Sequence, residues 1–304
     1  CNRFVRNTCF TASGKSAAFN YSQWLGLLGK DQYLQLDTLP SPVQITITLD
    51  DQSCVTSSGA TGTYKITDLY FRVQSVEFPL LSRTLYAMLS RNQPVPISFT
   101  RWINFQFSNA AGAVVNNRFS VATQCLSRIW VQNNLTSNMN FATRSVALQD
   151  AGYDVEKFLS CSDASNNHYA ELDNRRQSQY DVDLLREGYA WILEQLGVNN
   201  DLDYDNLITS IGNPATTATV NGVVTSTSSY NFHGAAWLML YNFAFNRYDA
   251  DSHSSISGVN TMGLSSSVSV NARTGYGQAS TTSYFVETKA VLNVLPNRQI
   301  EVVY

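Results

Sequence analysis

Charged side chains are scarce in this chain of 304 residues, since Asp, Glu, Lys and Arg make up only 14% of it. An ordinary soluble domain has roughly a quarter. The 20 basic and 23 acidic residues are mixed along the chain and leave a formal net charge of −3. Because no basic arm is available to neutralise phosphates, we expect no direct binding to nucleic acid. Neutral polar surfaces lose their water at lower cost than charged ones, which favours packing against other subunits.

Long apolar runs and closely spaced cysteines are lacking too. No stretch of about 18 apolar residues exists, so we expect no transmembrane segment. The first residues show neither a signal-peptide nor a transit-peptide pattern. The five cysteines are widely spread and lack the close pairs of metal or redox sites, which predicts free buried thiols; they are Cys1, Cys9, Cys54, Cys125 and Cys161.

Two short stretches resemble ligand-binding loops, and both depart from the pattern. Ser13-Gly14-Lys15-Ser16 resembles the end of a phosphate-binding loop, but Cys9 stands where that loop needs glycine. Asp201-Leu202-Asp203-Tyr204-Asp205 resembles the start of a calcium loop, but Asn206 and Gly212 stand where it needs Gly and Glu. A third acidic stretch, at 249–253, is more typical of a polar turn than of a cation site. We interpret the second as a solvated acidic loop, the third as a turn, and none of the three as a ligand-binding site.

The histidines, carboxylates and tryptophans form no recognisable catalytic set. No histidine has metal-ligand spacing or a Ser-His-Asp or Cys-His context; the three are His168, His233 and His253. Carboxylates for glycoside hydrolysis need meet only in space, so three remain open candidates, Glu171, Glu187 and Glu287. The five tryptophans are expected in cores or subunit interfaces, a sugar-stacking platform being the alternative. We therefore assign no catalytic, cofactor-binding or metal-binding residue, and we expect no cofactor and no enzymatic activity.

Alternation of apolar and polar residues predicts strands through most of the chain. The upstream strands are predicted at Val43–Asp50, Tyr64–Phe78, Pro96–Ser108 and Phe119–Val131. Those of the C-terminal end are predicted at Ser265–Asn271, Ser283–Leu295 and Ile300–Tyr304, the last two joined by a turn at Pro296-Asn297-Arg298-Gln299. The terminal strands are expected to lie inside a sheet.

Two segments have helical periodicity instead. Leu80–Arg91 predicts a short helix with Leu81, Leu85, Met88 and Leu89 on one face. Tyr180–Leu196 predicts a longer helix, ended by Gly197 and inserted between strands. Asn221-Gly222 predicts a two-residue hairpin turn, and Ala235–Phe245 is ambiguous between strand and helix.

The small polar stretch Asn109–Asn117 is the best candidate for a domain boundary. It divides the chain into residues 1–112 and residues 113–304, with the helical insertion around 150–200 in the second part. At this length, each part is long enough to bury a core of its own.

The order of these segments resembles the double jelly-roll major capsid proteins of tailless icosahedral DNA viruses, especially the virophage and Polinton-like branch. Leu36-Asp37-Thr38-Leu39-Pro40 before the strand at Ile45 looks like the early strands of a first barrel. The strand at 64–73, the short helix and Pro96-Ile97-Ser98-Phe99 look like its end. Ser257-Gly258-Val259-Asn260-Thr261 and the strands that follow are similar to the end of a second barrel.

This resemblance implies an all-β fold of two consecutive antiparallel jelly rolls, and a structural role without enzymatic activity. It implies homotrimers of pseudo-hexagonal outline that tile an icosahedral shell, meet minor capsid or penton proteins, and assemble inside the host cell. The alternative is a jelly-roll carbohydrate-binding protein or glycosidase, because similar sheets serve both. A jelly roll has about eight strands, and residues 1–112 offer only five or six convincing ones. That shortage and the start at Cys1 predict that the gene encodes residues before Cys1.

Overall fold

The computed structural model describes residues 26–28, 34, 36–48, 66–73, 75–135, 167–178, 180–183, 188–196, 216–220, 223–227, 238–244, 257–262, 267–272, 279–297 and 299–304. Two α-helices lie in these residues, α1 (Pro79–Ser90) and α2 (Gly188–Leu196), together with 3-10 turns at Gly26–Leu28 and Leu36–Thr38. The strands are β1 (Val95–Asn109), β2 (Val115–Ser120), β3 (Leu126–Leu135), β4 (Asn167–Leu172), β5 (Arg175–Arg176), β6 (Val182–Asp183), β7 (Thr216–Val220), β8 (Val223–Thr227), β9 (Leu238–Asn242), β10 (Ser267–Ala272), β11 (Ser280–Val294) and β12 (Ile300–Val303).

The strands form two antiparallel sheets and a separate hairpin. Sheet A has the order β1-β11-β3-β9, and β12 pairs with the end of β11. Sheet B has the order β2-β10-β4-β5, and β6 also pairs with β4. The hairpin joins β7 to β8, with Asn221-Gly222 between them as the sequence predicts.

The pairing follows the winding of a jelly roll. Strands from the two ends of the sandwich pair in nested order. β1 pairs with β11, β2 pairs with β10, and β3 pairs with β9. The fourth, β4, pairs with the short strands that follow it, β5 and β6. This is one long antiparallel hairpin rolled into two sheets, which confirms the predicted all-β jelly-roll class.

One core lies between the two sheets. Sheet A contributes Ile129, Val131 and Val286, and sheet B contributes Val268 and Val270, each 1% exposed or less. A second, smaller core surrounds Val95, Leu292 and Val294 at one end of the β1-β11 ladder, where Leu85 and Leu89 of α1 pack against it. Their contact confirms two residues of the face predicted for α1, whereas Leu81 of that face is 51% exposed.

The strand β1 belongs to a different jelly roll from the one that the sequence predicts. We predicted this strand at the end of a first barrel, before a boundary at 112/113, whereas it pairs with β11 over its whole length, from Val95 opposite Val294 to Asn109 opposite Ser280. The polar stretch after it is the connection from β1 to β2, and Gly112 there has a φ of +71°. Small polar residues mark a turn between strands as readily as a link between domains, and local sequence does not separate the two.

Three predicted elements were wrong in part. The strands predicted at Val43–Asp50 and Tyr64–Phe78 are not found, since their described residues, 43–48, 66–73 and 75–78, lie in neither helix nor strand. The single strand predicted over Phe119–Val131 is two strands, β2 and β3, separated at 121–125. Their separate sheets explain the break, because the chain must cross from one sheet to the other between them.

The helix predicted over Tyr180–Leu196 is described only from Gly188, as α2. Val182 instead pairs with His168 of β4 and is fully buried in the core. A β-branched side chain that closes a sheet edge thus overrides the helical period at this end. The helix does lie between strands of the jelly roll, as predicted, and the ambiguous run around Leu238–Asn242 is the strand β9.

Candidate functional site

Three charged side chains are buried together on sheet A. Arg128 of β3 lies opposite Glu287 of β11 in the ladder, and Lys289 is two residues further along. Lys289 Nζ is 3.4 Å from Glu287 Oε1, and Arg128 Nη1 is 3.9 Å from Glu287 Oε2. Lys289 Nζ also donates a hydrogen bond of 3.0 Å to Thr100 Oγ1 on β1. The group therefore connects three neighbouring strands of the sheet.

Burial decides what this group can do. Arg128, Glu287 and Lys289 are each only 3% or 4% exposed, so a substrate has no access to them. Buried ions are tolerated only when they are paired, because their lost hydration costs several kcal/mol each. The arrangement favours cohesion and strand register rather than catalysis.

Other buried polar side chains lie between the sheets. Tyr284 Oη accepts a 2.8 Å hydrogen bond from Asn117 Nδ2, which connects β11 to β2. Burial raises the pKa of Tyr284 and that of Tyr241 well above their ordinary values, so both stay neutral. Burial lowers the pKa of His168 to about 3. This histidine is therefore neutral near pH 7 and is not suited to acid-base work there.

A cavity of about 300 Å³ lies at one edge of the sandwich, where α2 meets β9. Its lining is mainly aromatic and amide side chains with one carboxylate, and consists of Gln177, Ser178, Tyr180, Trp191, Glu194, Gln195, Tyr241 and Asn242. The Ser178 and Tyr241 hydroxyl oxygens are sealed from solvent, so a molecule in the cavity cannot reach them. Glycoside hydrolysis uses two carboxyl groups, and this lining supplies one.

A network of backbone and side-chain bonds holds the crossing between β2 and β3. Leu126 and Val259 exchange two backbone hydrogen bonds of 2.8 and 2.9 Å. Thr261 Oγ1 donates to the Val121 carbonyl at 2.7 Å and accepts from the Thr123 N–H at 3.1 Å. Gln124 N–H donates to the Tyr304 carbonyl oxygen at 2.6 Å. Two distant segments thus fix the path of the chain between the sheets.

Gly258 shows how closely the segment 257–261 packs there. A Cβ atom at this position would lie 2.7 Å from the Leu126 carbonyl carbon and 2.9 Å from Cys125 Sγ, and closer still to the Leu126 carbonyl oxygen. No side chain fits between these backbones. The segment 257–261, whose sequence resembles the end of a second barrel, is thus a close-packed part of the sandwich formed by sheets A and B.

A surface outside the sandwich has the opposite character. Residues 69–81, which we call the apolar segment, carry eight large apolar side chains between 43% and 79% exposed: Leu69, Tyr70, Phe71, Val73, Val76, Phe78, Leu80 and Leu81. Two charged residues, Arg72 and Glu77, lie among them. Leu80 and Leu81 belong to α1, and the other six precede it.

The carboxylates left open as catalytic candidates do not come together among the described residues. Glu171 is on sheet B, where it accepts a 3.2 Å hydrogen bond from Ser269 Oγ. Glu287 is in the buried charged group of sheet A. Glu187 lies outside the described residues, as do His233, His253 and the stretches 13–16, 201–205 and 249–253.

The cysteines and tryptophans are described in part. Cys125 is a buried free thiol whose pKa is raised by burial, and the other four cysteines lie outside the described residues. Trp191 is half-buried and donates from Nε1 to the Leu240 carbonyl at 2.9 Å. Within the described parts of the chain, no group of three His, Cys, Asp or Glu side chains could hold a metal ion. No helix in those parts is long and apolar enough to cross a membrane.

Sequence reasoning missed the buried charged group and the network at 121–126. Glu287 and Lys289 look like the solvent face of a half-buried strand, and nothing local marks them as buried. One signal was present, because Phe285 and Val291 share their face of β11 and are apolar. A strand with apolar residues on both faces is typical of a sheet covered on both sides.

Comparison with known proteins found no matching family and no matching curated protein. Among solved structures, the chain is similar to a chain in the cryo-EM structure of the Sputnik virophage, with a TM-score of 0.39 and 10% identity over 69% of this chain and 38% of that one. It is also similar to the mavirus major capsid protein, with a TM-score of 0.34 and 8% identity over 69% of this chain and 42% of that one. The chain thus spans about two fifths of the length of these structures.

Proposed function

We propose that this protein is a structural subunit of a viral capsid, a major capsid protein that associates with copies of itself. The observation that carries the proposal is a jelly roll whose buried polar groups bind one another. The segment order of the sequence, which resembles virophage-type capsid proteins, supports the same function. A protein of this kind acts by packing, so its surfaces rather than a reactive cleft perform its function.

The buried polar groups of the sandwich bind one another. The buried ions of sheet A bind each other and Thr100, and Tyr284 binds Asn117 across the two sheets. These bonds stiffen the sandwich. A shell subunit needs such stiffness, because its contacts on all sides must keep a fixed geometry. We therefore propose a role without enzymatic activity.

The finer organisation is also proposed. Residues before β1 would belong to a first jelly roll, with the sandwich described above as the second. Three subunits would form a capsomer of pseudo-hexagonal outline in the virion, beside minor capsid or penton proteins and without direct contact to nucleic acid. Six similar sandwiches in a trimer would account for the pseudo-hexagonal outline.

The test is the size of the purified, nuclease-treated protein by sedimentation at ~50 mM and ~500 mM salt. We expect a stable trimer in both, because a net charge of −3 gives little long-range repulsion for salt to screen and apolar burial dominates. Negative-stain microscopy should show particles of hexagonal outline. Monomers that bind sugars on a glycan array would overturn the proposal in favour of the carbohydrate-binding alternative.

A further inference from the structure

Sheet A is longer than sheet B. The ladder of β1 and β11 has 15 residues in each strand, whereas β2, β4 and β10 of sheet B have 6 residues each. On the inner face of β1, Ile103, Phe105 and Phe107 pack into the main core. Phe105 stacks there on Phe119 of β2, with 4.7 Å between the ring centres. The main core thus uses only one part of the inner face of this ladder.

Residues that precede β1 cover the other part of that face. We call this part the extended end of sheet A; it consists of Val95, Ile97 and Phe99 of β1, Leu292 and Val294 of β11, and Val302 of β12. The side chains that pack against the same small core come from the two 3-10 turns and α1: Leu27, Leu39, Leu85 and Leu89. Three separate segments before β1 therefore meet the sandwich at one place.

The strand β12 completes the extended end. Within the described residues, β1 and β12 are the two partners of β11 at 291–294. Val302 lies opposite Leu292 and adds its side chain to the small core. Two strands alone are marginally stable at best in water, whereas three strands with an apolar face are stable when that face is covered. The extended end therefore depends on β12.

Hydrogen bonds attach β12 at both ends. Before it, the Leu295 N–H donates to the Gln299 carbonyl oxygen at 2.8 Å and closes the turn from β11. After it, the Tyr304 carbonyl oxygen accepts from the Gln124 N–H at 2.6 Å, and the Arg101 guanidinium lies 4.4 Å from the centre of the Tyr304 ring. These bonds connect β12 to the crossing between β2 and β3 as well as to the ladder.

The helix α1 has little stability of its own. It has 12 residues, and an isolated helix of this length is marginal in water. Apart from Pro79 at its first position, its ends lack stabilising groups, since Phe78 gives no side-chain cap, the first turn has no acidic residue and the last turn has no basic one. Its order must therefore come from packing, and Leu85 and Leu89 supply packing against the small core.

We propose that the extended end of sheet A is an internal docking surface for the residues before β1, and that Val302 of β12 keeps them docked. The occupant is α1 together with residues 26–39 of the same chain. For its consequence the inference rests on the proposed function, in which those residues belong to a first jelly roll. The contact would then fix the orientation of the two parts of one subunit, as a shell of fixed geometry requires.

The test compares two neighbouring valines of β12. Val302 and Val303 are both half-buried, and successive residues of a strand face opposite sides. Hydrogen exchange of the full chain would be followed by mass spectrometry for the wild-type protein, V302D and V303D. We expect V302D to speed exchange of the α1 amides at least about tenfold, because it places a carboxylate in the small core. V303D should change it less than about threefold, and the amides of β3 and β10 should exchange at the wild-type rate in both variants.

The outcomes separate this inference from the proposed function. Exchange in α1 that V302D leaves unchanged would overturn the inference, as would fast exchange in α1 of the wild-type protein. Equal acceleration by V302D and V303D would also overturn it, because the effect would then come from added charge in β12 in general. A wild-type protein that stays monomeric would overturn the proposed function alone, because exchange reports a contact within one chain.

A second pair of variants decides the case in which V302D fails to fold. Leu85 and Leu81 both belong to α1, but Leu85 packs against the small core whereas Leu81 is 51% exposed. L85A and L81A change the helix propensity equally. Because coupling between two sites is reciprocal, L85A should speed exchange of the β12 amides at least about threefold and L81A should leave it unchanged. Equal exchange of β12 in these two variants would show that α1 and β12 are not coupled, and the proposal would be wrong.

Discussion

Replacement of Gly258 by alanine should destabilise the sandwich more than any other exchange of glycine for alanine in the described residues. The new Cβ would lie 2.7 Å from the Leu126 carbonyl carbon, and nearer still to the carbonyl oxygen. Ordinary contacts of this kind are at least about 3.4 Å, so the two backbones must separate by the better part of 1 Å. That movement acts on backbone atoms, which cannot rotate away as a flexible side chain could.

The cost follows from the bonds that this separation breaks. Leu126 and Val259 exchange two backbone hydrogen bonds, and each lost bond costs about 0.5–1.5 kcal/mol, or more where a buried group stays unsatisfied. Overpacking adds about 1–3 kcal/mol. The sum is about 2–6 kcal/mol, which would lower the midpoint of thermal unfolding by roughly 3–9 °C for a protein of this size.

Gly112 supplies the matched control. It has a φ of +71°, and a Cβ there would meet nothing within 4 Å. Gly112→Ala therefore lowers the free energy of unfolding only through its left-handed backbone, by about 1–2 kcal/mol. Thermal and urea unfolding at one protein concentration would rank the variants, and hydrogen exchange at the Leu126 and Val259 amides would localise the effect. A Gly258→Ala protein as stable as the wild type would show that the reasoning about this contact is wrong.

Three further predictions concern buried polar groups. Tyr284→Phe should lower the free energy of unfolding by about 1–3 kcal/mol, because it leaves Asn117 Nδ2 without its bond to the hydroxyl. Tyr241→Phe should lower it only a little. Equal losses for the two variants in urea unfolding would contradict the assignment. Glu287→Gln should lower the free energy of unfolding by about 3–5 kcal/mol, because it removes the charge that the buried Lys289 and Arg128 face. An unchanged midpoint of urea unfolding would show that this ion pairing does not contribute to stability. His168 has a folded-state pKa of about 3, below its unfolded value of 6.5, so stability should fall as pH drops from about 6.5, by at most roughly 1.4 kcal/mol per pH unit. His168→Gln should flatten that slope in pH-dependent unfolding, and an unchanged slope would assign it to other groups.

The elements that the sequence predicts well are those decided by short-range patterns. Alternation in Pro96–Ser108 and Ser283–Leu295 matches β1 and β11, and the helical face of Leu80–Arg91 matches α1. Asn221-Gly222 predicts the hairpin between β7 and β8 because few residue pairs adopt the two positive φ angles of a type I′ turn without strain. In each case the residues that determine the structure lie within one or two turns of each other along the chain.

The pairing of strands does not follow from such patterns. Thr100 and Lys289 share a hydrogen bond although 189 positions separate them, and nothing in the neighbourhood of either one specifies the other. The assignment of β1 to a first barrel was wrong for this reason. The buried ions escaped notice likewise, because Glu287 and Lys289 become neighbours of Arg128 only when the ladder forms.

The two predicted strands that are not found among the described residues, at 43–50 and 64–78, make the same point. An alternating sequence states only that a segment has two different faces, and it becomes a strand when a second strand supplies its hydrogen bonds. Pro96–Ser108 finds that partner in β11, whereas residues 69–73 alternate equally well and lie in no sheet.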